Sequence, residues 1–314
     1  MGSSVVRVGI AGWDYPDWAG IVYPDPAPPK FDRLAFLTSF FDVIEVNVSF
    51  YRQPQAAAAA SWASRVGSND SFRFTAKLFR GLTHPDAAPP KDADGTAERD
   101  AVSAGLEENA ETFRSGIQPL VSAGRLGAVL MQFPHSFHQT AGNRRHLEAL
   151  VERLPALPLV AEFRHRSWDD FRALDLLRRL DVGFCNIDQP AIGGTLGATC
   201  HATSRVAYIR LHGRNAAAWF GREASAAARY DYLYSMEELD PWVERARALA
   251  ARAEEVFIVA NNHYRGKGPA NALMLGAALR GRKVAAPADL VAAIPALAPA
   301  ALPKVRRPAQ RRLL

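Results

Sequence analysis

Three carboxylates, three long cations and two histidines stand where short apolar runs of this chain end: Glu45, Glu162 and Asp188; Lys77, Arg164 and Arg210; His212 and His263. A carboxylate whose pKa is raised by burial takes up a proton near neutrality, and an imidazole can return it. Glu162 or Asp188 then reads as general base and His212 as general acid, with Glu45 a further catalytic candidate. Lys77, Arg164 and Arg210 would hold the negative charge of a small anionic ligand, a phosphorylated one included. Asn47, Gln132, Asn261 and His263 add hydrogen-bonding groups. Trp13, Tyr51 and Trp168 follow strand ends, where their rings could stack on a ring or sugar face. The set fits acid–base hydrolysis or isomerisation better than redox or nucleotide chemistry, for which no cofactor motif occurs.

Spacing is what gathers these residues. Side chains two apart on a pleated strand share a face. Glu45 and Asn47 are in phase with Val43, Lys77 with Thr75, Gln132 with Leu130, and Arg164 with Glu162. Asp188 is in phase with Asn186, Arg210 and His212 with Tyr208, and Asn261 and His263 with Val259. In a closed barrel one face of every strand points inward, so all seven tips are expected to meet at the C-terminal mouth, where barrel enzymes keep their sites. The alternative is a closed structural network in which the ions only neutralise one another. Glu45, Glu162, Asp188, His212 and His263 also form an oxygen-rich set suited to a divalent cation. No His-Glu-x-x-His supports it, so a divalent metal is not favoured and no metal ligands are assigned. Residues 261–271 carry Gly266, Gly268, Lys267 and Pro269 into a helix start, which reads either as an anion-binding helix N-terminus or as a tight turn.

Positioning these tips requires a regular scaffold. Strand patterns cover 5–10, 43–47, 72–77, 126–133, 159–164, 182–188, 206–212 and 256–261. Helical patterns cover 31–41, 56–66, 96–121, 144–154, 168–180, 237–253 and 271–280, with Ser167/Asp170 and Ser235/Glu238 as capping pairs. A Pro/Asp-rich loop spans 84–95. The stretch 190–204, broken by Gly193, Gly194 and Gly197, reads as a loop or degenerate crossover. Strand–helix alternation means a parallel sheet covered by helices, and eight repeats predict an α/β fold of the (β/α)8 TIM-barrel type. A doubly wound sheet is the runner-up, weakened by the lack of Gly-x-Gly-x-x-Gly after the first strand. Residues 1–290 are expected to form one barrel domain, and 291–314 a basic, Pro/Ala-rich, poorly ordered tail.

Composition narrows the setting. The 314 residues are 48% apolar, enough for a large core, yet no run approaches a membrane span. Cys185 and Cys200 lack Cys-x-x-Cys spacing, which fits a reducing, cytoplasmic compartment. The net charge of +6 includes five tail cations, Lys304, Arg306, Arg307, Arg311 and Arg312; removing them from the 38 basic residues leaves 33 against 32 acidic. A nearly neutral body is poorly suited to neutralising many phosphates, so nucleic acid is only weakly supported as a partner.

Ordered motifs run through the same residues: Gly12-Trp13-Asp14-Tyr15, Glu45-Val-Asn47 with Phe50-Tyr51-Arg52, Phe74-Thr-Ala-Lys77, and Gln132-Phe-Pro134. Glu162-Phe-Arg164-His165, Tyr208-Ile-Arg210-Leu-His212-Gly213 and Asn261-Asn262-His263 continue the series. From about Val5 to Leu275 the chain resembles the DUF72, or YecE-like, family. The resemblance implies a TIM-type barrel and supplies no reaction, since the family's activity is not established. The chain departs from it at Ala260, where phenylalanine is usual, and in the extra basic residues that follow. Three functions compete: an acid–base enzyme on a small anion, a divalent-metal-dependent phosphodiesterase acting on DNA, and a binding module that does not turn its ligand over.

Overall fold

The eight apolar runs become eight parallel strands with the helices outside them. The computed structural model describes residues 4–67, 69–84, 97–219 and 226–304. The chain runs β1 (Val5–Ala11), α1 (Arg33–Leu37), β2 (Val43–Val46), α2 (Val48–Tyr51), α3 (Ala56–Arg65), β3 (Arg73–Lys77) and α4 (Arg80–Thr83). It continues through α5 (Ala97–Ser122), β4 (Leu126–Gln132), α6 (Ala141–Glu152), β5 (Leu159–Glu162), α7 (Phe171–Arg179), β6 (Gly183–Asp188) and β7 (Val206–Leu211). Then come α8 (Ala216–Trp219), α9 (Ala226–Arg229), α10 (Met236–Ala250), β8 (Glu255–Ala260) and α11 (Lys267–Arg280). The last elements are β9 (Val284–Pro287), α12 (Ala288–Ala293) and β10 (Ala301–Lys304). Each barrel strand pairs with the next and β8 pairs with β1, so the sheet closes as the (β/α)8 reading requires, and no open edge remains. Among the described residues no helix is long and apolar enough to cross a membrane.

Register decides which side chains enter the barrel, because directly paired residues of parallel strands share a face. Ala11 pairs with Glu45, Glu45 with Thr75, and Lys77 with Leu130. Gln132 pairs with Glu162, and Val160 with Gly183. On the far side Ile187 pairs with Arg210, and Arg210 with Val259. The inward set therefore includes Glu45, Lys77, Gln132, Glu162 and Arg210. On β6 it is Cys185 and Ile187 that face inward, while Asp188 pairs with Leu211 on the opposite face.

Several local expectations change. The pattern over 168–180 splits into a 3-10 turn, Arg166–Trp168, and α7. Asp170, not Ser167, caps α7 by accepting the Ala173 N–H; the 3-10 turn is capped by His165. Ser235 and Glu238 do form a reciprocal capping box on α10, whose Leu239, Trp242, Val243, Ala246 and Leu249 recur at helical spacing and are buried. No helix occupies 190–204; there the Asn186 side chain, facing outward, accepts from the Thr199 hydroxyl at 2.8 Å and the His201 N–H at 2.7 Å, holding the loop where a helix would pack. The segment expected to be poorly ordered is folded through Lys304: β10 pairs with β9, and Leu290, Leu297 and Ala301 are buried. Its apolar residues found a face of α11 to cover. Residues 85–96, most of the Pro/Asp-rich loop, and 305–314, with Arg306, Arg307, Arg311 and Arg312, lie outside the described residues.

Candidate functional site

Arg210, fully buried near the end of β7, organises the barrel interior. Its Nη2 donates to Glu45 Oε1 at 2.6 Å, and its Nη1 to Glu162 Oε2 at 2.6 Å and Gln132 Oε1 at 3.1 Å. The other Glu45 oxygen accepts from the Tyr208 hydroxyl at 2.9 Å, which also meets the Thr75 hydroxyl at 2.8 Å. Arg164 Nη2 lies 2.5 Å from Glu162 Oε1, and His212 Nε2 lies 3.5 Å from the same oxygen. Burial by itself would raise the Glu162 carboxyl, but Arg164, Arg210 and His212 together hold it well below the usual carboxylate range. Burial would likewise weaken the Arg210 cation, yet Glu162 and Glu45 keep it firmly protonated. Two carboxylates thus balance two guanidiniums.

His212 is neutral. Burial and then Arg164 push it well below the usual histidine range, against the pull of Glu162. Its Nδ1 lies 3.0 Å from Asn261 Nδ2, so with that amide donating, the ring proton sits on Nε2, toward Glu162. Gly213, at φ +90°, ends the strand just beyond it, in a backbone conformation an L side chain would strain.

Lys77 stands apart from this balanced lattice. It is the last residue of β3, on the same face as Thr75, and only 8% exposed. Among the described residues its ammonium makes no hydrogen bond or ion pair; the Phe50 ring faces it, with Nζ 5.4 Å from the ring centroid. The Ser49 hydroxyl pins the strand end through the carbonyls of Lys77, at 2.7 Å, and Val46, at 3.0 Å. Burial first, and Arg210 second, lower the Lys77 pKa to about 7, against the opposing pull of Glu45 and Glu162.

The remaining candidates divide. Asn47 donates to the Tyr15 hydroxyl at 3.3 Å, and its own Oδ1 is buried without a partner among the described residues. Tyr15 stacks on His263 with ring centroids 4.2 Å apart, and burial lowers His263 to about 4. Tyr51 is 65% exposed and meets Phe50 edge-on. Trp13 packs edge-on against Trp62 of α3. Trp168 is not at the mouth: it is fully buried, donates to the Phe137 carbonyl at 2.6 Å and stacks on Phe163. Asp188 is also misplaced by the sequence reading. It faces the helix layer, accepting from Arg214 at 2.7 and 2.9 Å, the Tyr234 hydroxyl at 2.9 Å and Trp242 Nε1 at 2.7 Å. The residue of that region that reaches the ring is Gln189, bonded to Arg164 in both directions. Its signal was parity: it is in phase with Cys185 and Ile187.

The oxygen-rich set considered for a divalent cation, though not favoured, does not assemble as a whole. Asp188 is turned away, Arg210 engages both glutamates, and His263 stacks on Tyr15. Among the described residues no group of three His, Cys, Asp or Glu side chains is arranged to hold a metal ion. Of the two readings of the α11 start, the tight turn is the one whose contacts are seen: Asp17 accepts the Arg265 N–H just before the helix, and Asp231 pairs with Lys267.

The chain is similar to known proteins along most of its length. The family described as "Protein of unknown function DUF72" matches residues 7–295. UPF0759 protein YunF of Bacillus subtilis (strain 168) is 27% identical over 277 residues, covering 85% of this chain and 92% of that one. The crystal structure of a DUF72 family protein from Thermotoga maritima MSB8 matches with a TM-score of 0.73 and 33% identity, covering 88% of this chain and 99% of that chain. A DUF72 family protein from Enterococcus faecalis V583, 23% identical with a TM-score of 0.73 over 88% of this chain and 96% of that chain, shares the fold.

Proposed function

The chain belongs to the DUF72 family, and from that premise we propose that its barrel mouth binds a small anionic ligand and performs acid–base chemistry on it. One observation carries this reading: among the described residues, Lys77 has no carboxylate partner once Glu45 and Glu162 have been balanced by Arg210 and Arg164. Among the described residues no carboxylate pairs with the Lys77 ammonium, and a cation in so buried a residue is stabilised when a counter-charge arrives, which a ligand anion would supply. Arg164, partly exposed above Glu162, offers it a second donor.

The acid–base roles move from those the sequence suggested. Glu162, clamped between two guanidiniums, holds its proton too weakly to serve as a base near neutrality. Asp188 is occupied in the helix layer. Lys77, at about 7, is matched to proton transfer at neutral pH, while His212, pushed well below the usual histidine range, stays neutral and offers an Nε2–H hydrogen bond rather than a transferable proton. Hydrolysis and isomerisation both remain within this chemistry. The DNA phosphodiesterase reading gains no support, because Asp188 is turned into the helix layer and Arg210 engages both Glu45 and Glu162.

Sulfate, whose charge is constant over the neutral range, is the test ligand. By isothermal titration calorimetry its affinity should fall as pH rises through about 7, where Lys77 loses its proton. Lys77→Met and Arg164→Met should each weaken it by about tenfold or more, the value of a charge-assisted hydrogen bond. Sulfate affinity that neither variant changes would remove the reading. A co-purified anion that native mass spectrometry detects but that is never converted would reduce the protein to a binding module.

A further inference from the structure

We propose that Lys77 is a nucleophile, and that the ligand class of the mouth is a small molecule carrying both an anionic group and an aldehyde or ketone carbonyl, which Lys77 captures as an imine. This deepens the anion reading above and rests on it for the ligand's charge. It stands on geometry. A lysine held only for charge would be expected to sit against a carboxylate; Lys77 lies one barrel strand from Glu45 and yet makes no ion pair among the described residues. The side chain is more than nine-tenths buried and shares the inward face of Thr75, whose hydroxyl meets Tyr208 inside the barrel. Its aromatic neighbour is the Phe50 ring, in cation–π contact with Nζ 5.4 Å from the centroid, which covers the amine without offering it a carboxylate. Desolvation and an adjacent cation are the two means by which proteins convert an ammonium into a nucleophilic amine. Both are present here, since Arg210 adds its charge to the effect of burial.

The groups that face Lys77 agree. Glu45 comes from β2, Glu162 and Arg164 from the end of β5, Arg210 from β7, and His263 from beyond β8. The two carboxylates are held by guanidiniums, so neither claims the amine. Arg164, paired with Glu162 and Gln189, adds its charge at the same rim and would orient the ligand's anionic group, fixing the carbonyl end toward Lys77. In the step itself the amine lone pair attacks the carbonyl carbon and forms a C–N bond, while the C=O π pair moves to oxygen. The carbinolamine then expels that oxygen as water with both amine protons, leaving C=N. No oxidant or reductant is consumed.

Reductive trapping tests this. Wild-type protein is treated with glyoxylate and sodium cyanoborohydride across pH 6–9, and adducts are mapped by peptide mass spectrometry. The competing amines are Lys30, Lys91, Lys267, Lys283, Lys304 and the N-terminus. Lys77 should be labelled in preference to each lysine by about tenfold or more at pH 7, because ordinary lysines hold almost no free amine there. Its labelling should reach half its plateau near pH 7, and sulfate should protect it. Lys77→Arg, which keeps the cation, should abolish that adduct and leave the others. Adducts spread evenly over the lysines, or Lys77 labelled only at the pH where its competitors are, would overturn the proposal. The two readings fail separately. Sulfate binding without trapping removes the imine and keeps the anion. Trapping by neutral propionaldehyde as readily as by glyoxylate, unprotected by sulfate, keeps the nucleophile and removes the anion.

Discussion

Arg210 bridges carboxylates 165 and 48 residues away in sequence, so one guanidinium ties β2, β5 and β7 together across the barrel. Such a network is neutral by construction, and Lys77 is the exception that makes the interior pH-sensitive. Folding lowers its pKa from the ordinary 10.5 to about 7. Between those values the unfolded chain binds a proton that the folded protein does not, so stability rises with pH across that window. The contribution is absent below the folded value and complete above the unfolded one. Urea denaturation of wild type should show this slope, at most about 1.4 kcal/mol per pH unit for one proton. Lys77→Met should lack it and be the more stable protein at pH 7. Equal slopes in the two proteins would mean that Lys77 is charged and solvated.

At the scale of elements, Asp188 shows how a catalytic-looking residue serves attachment. Its oxygens collect Trp242 from α10, Tyr234 from the turn before it, and Arg214 from the loop after β7. Tyr234 in turn accepts the Gly213 N–H at 2.8 Å, so the carboxylate sets where β7 ends and where α10 lies. Asp188→Asn should cost about 1.5–3 kcal/mol in denaturation, the range for hydrogen bonds to a charged group. It should leave sulfate affinity unchanged, because the residue lies on the other side of the strand from Arg210. A loss of affinity without a loss of stability would return Asp188 to the ligand. The same parity explains Asn186, which anchors the crossover loop instead of facing the mouth.

For the molecule as a whole, the closed barrel is extended by residues after α11. The 3-10 turn Pro295–Leu297 and β10 lie against α11, and Leu297 is fully buried. If this segment belongs to the same cooperative unit, Leu297→Ala should destabilise the entire protein by about 2–5 kcal/mol in a single denaturation transition. A separate early transition would show that it folds as an appendage. The reading of this stretch as a solvated end came from its prolines and alanines, which carry no periodicity. Its burial is set by the uncovered face of a helix that no local pattern reports.

Local pattern was sufficient for much of the protein. Apolar runs of strand length, alternating with helical periods, point to a parallel sheet under helices, and eight of them favour a closed barrel over a doubly wound open sheet. Phase along single strands placed Glu45, Lys77, Gln132, Glu162, Arg164, Arg210, His212 and Asn261 together, because residues two apart share a face: five of them follow an apolar or aromatic residue two positions back, and Lys77, Arg164 and His212 follow Thr75, Glu162 and Arg210. On strand six both phases end in plausible residues, Asp188 on one and Gln189 on the other. There the outcome belongs to interstrand register, which sequence does not carry: Val160 against Gly183 turns Asp188 outward. Tertiary structure likewise decided which charges cancel. Composition shows three cations and three carboxylates at strand tips; only their distances show that Arg210 and Arg164 neutralise Glu45 and Glu162, that Asp188 takes Arg214, and that Lys77 has no carboxylate partner among the described residues.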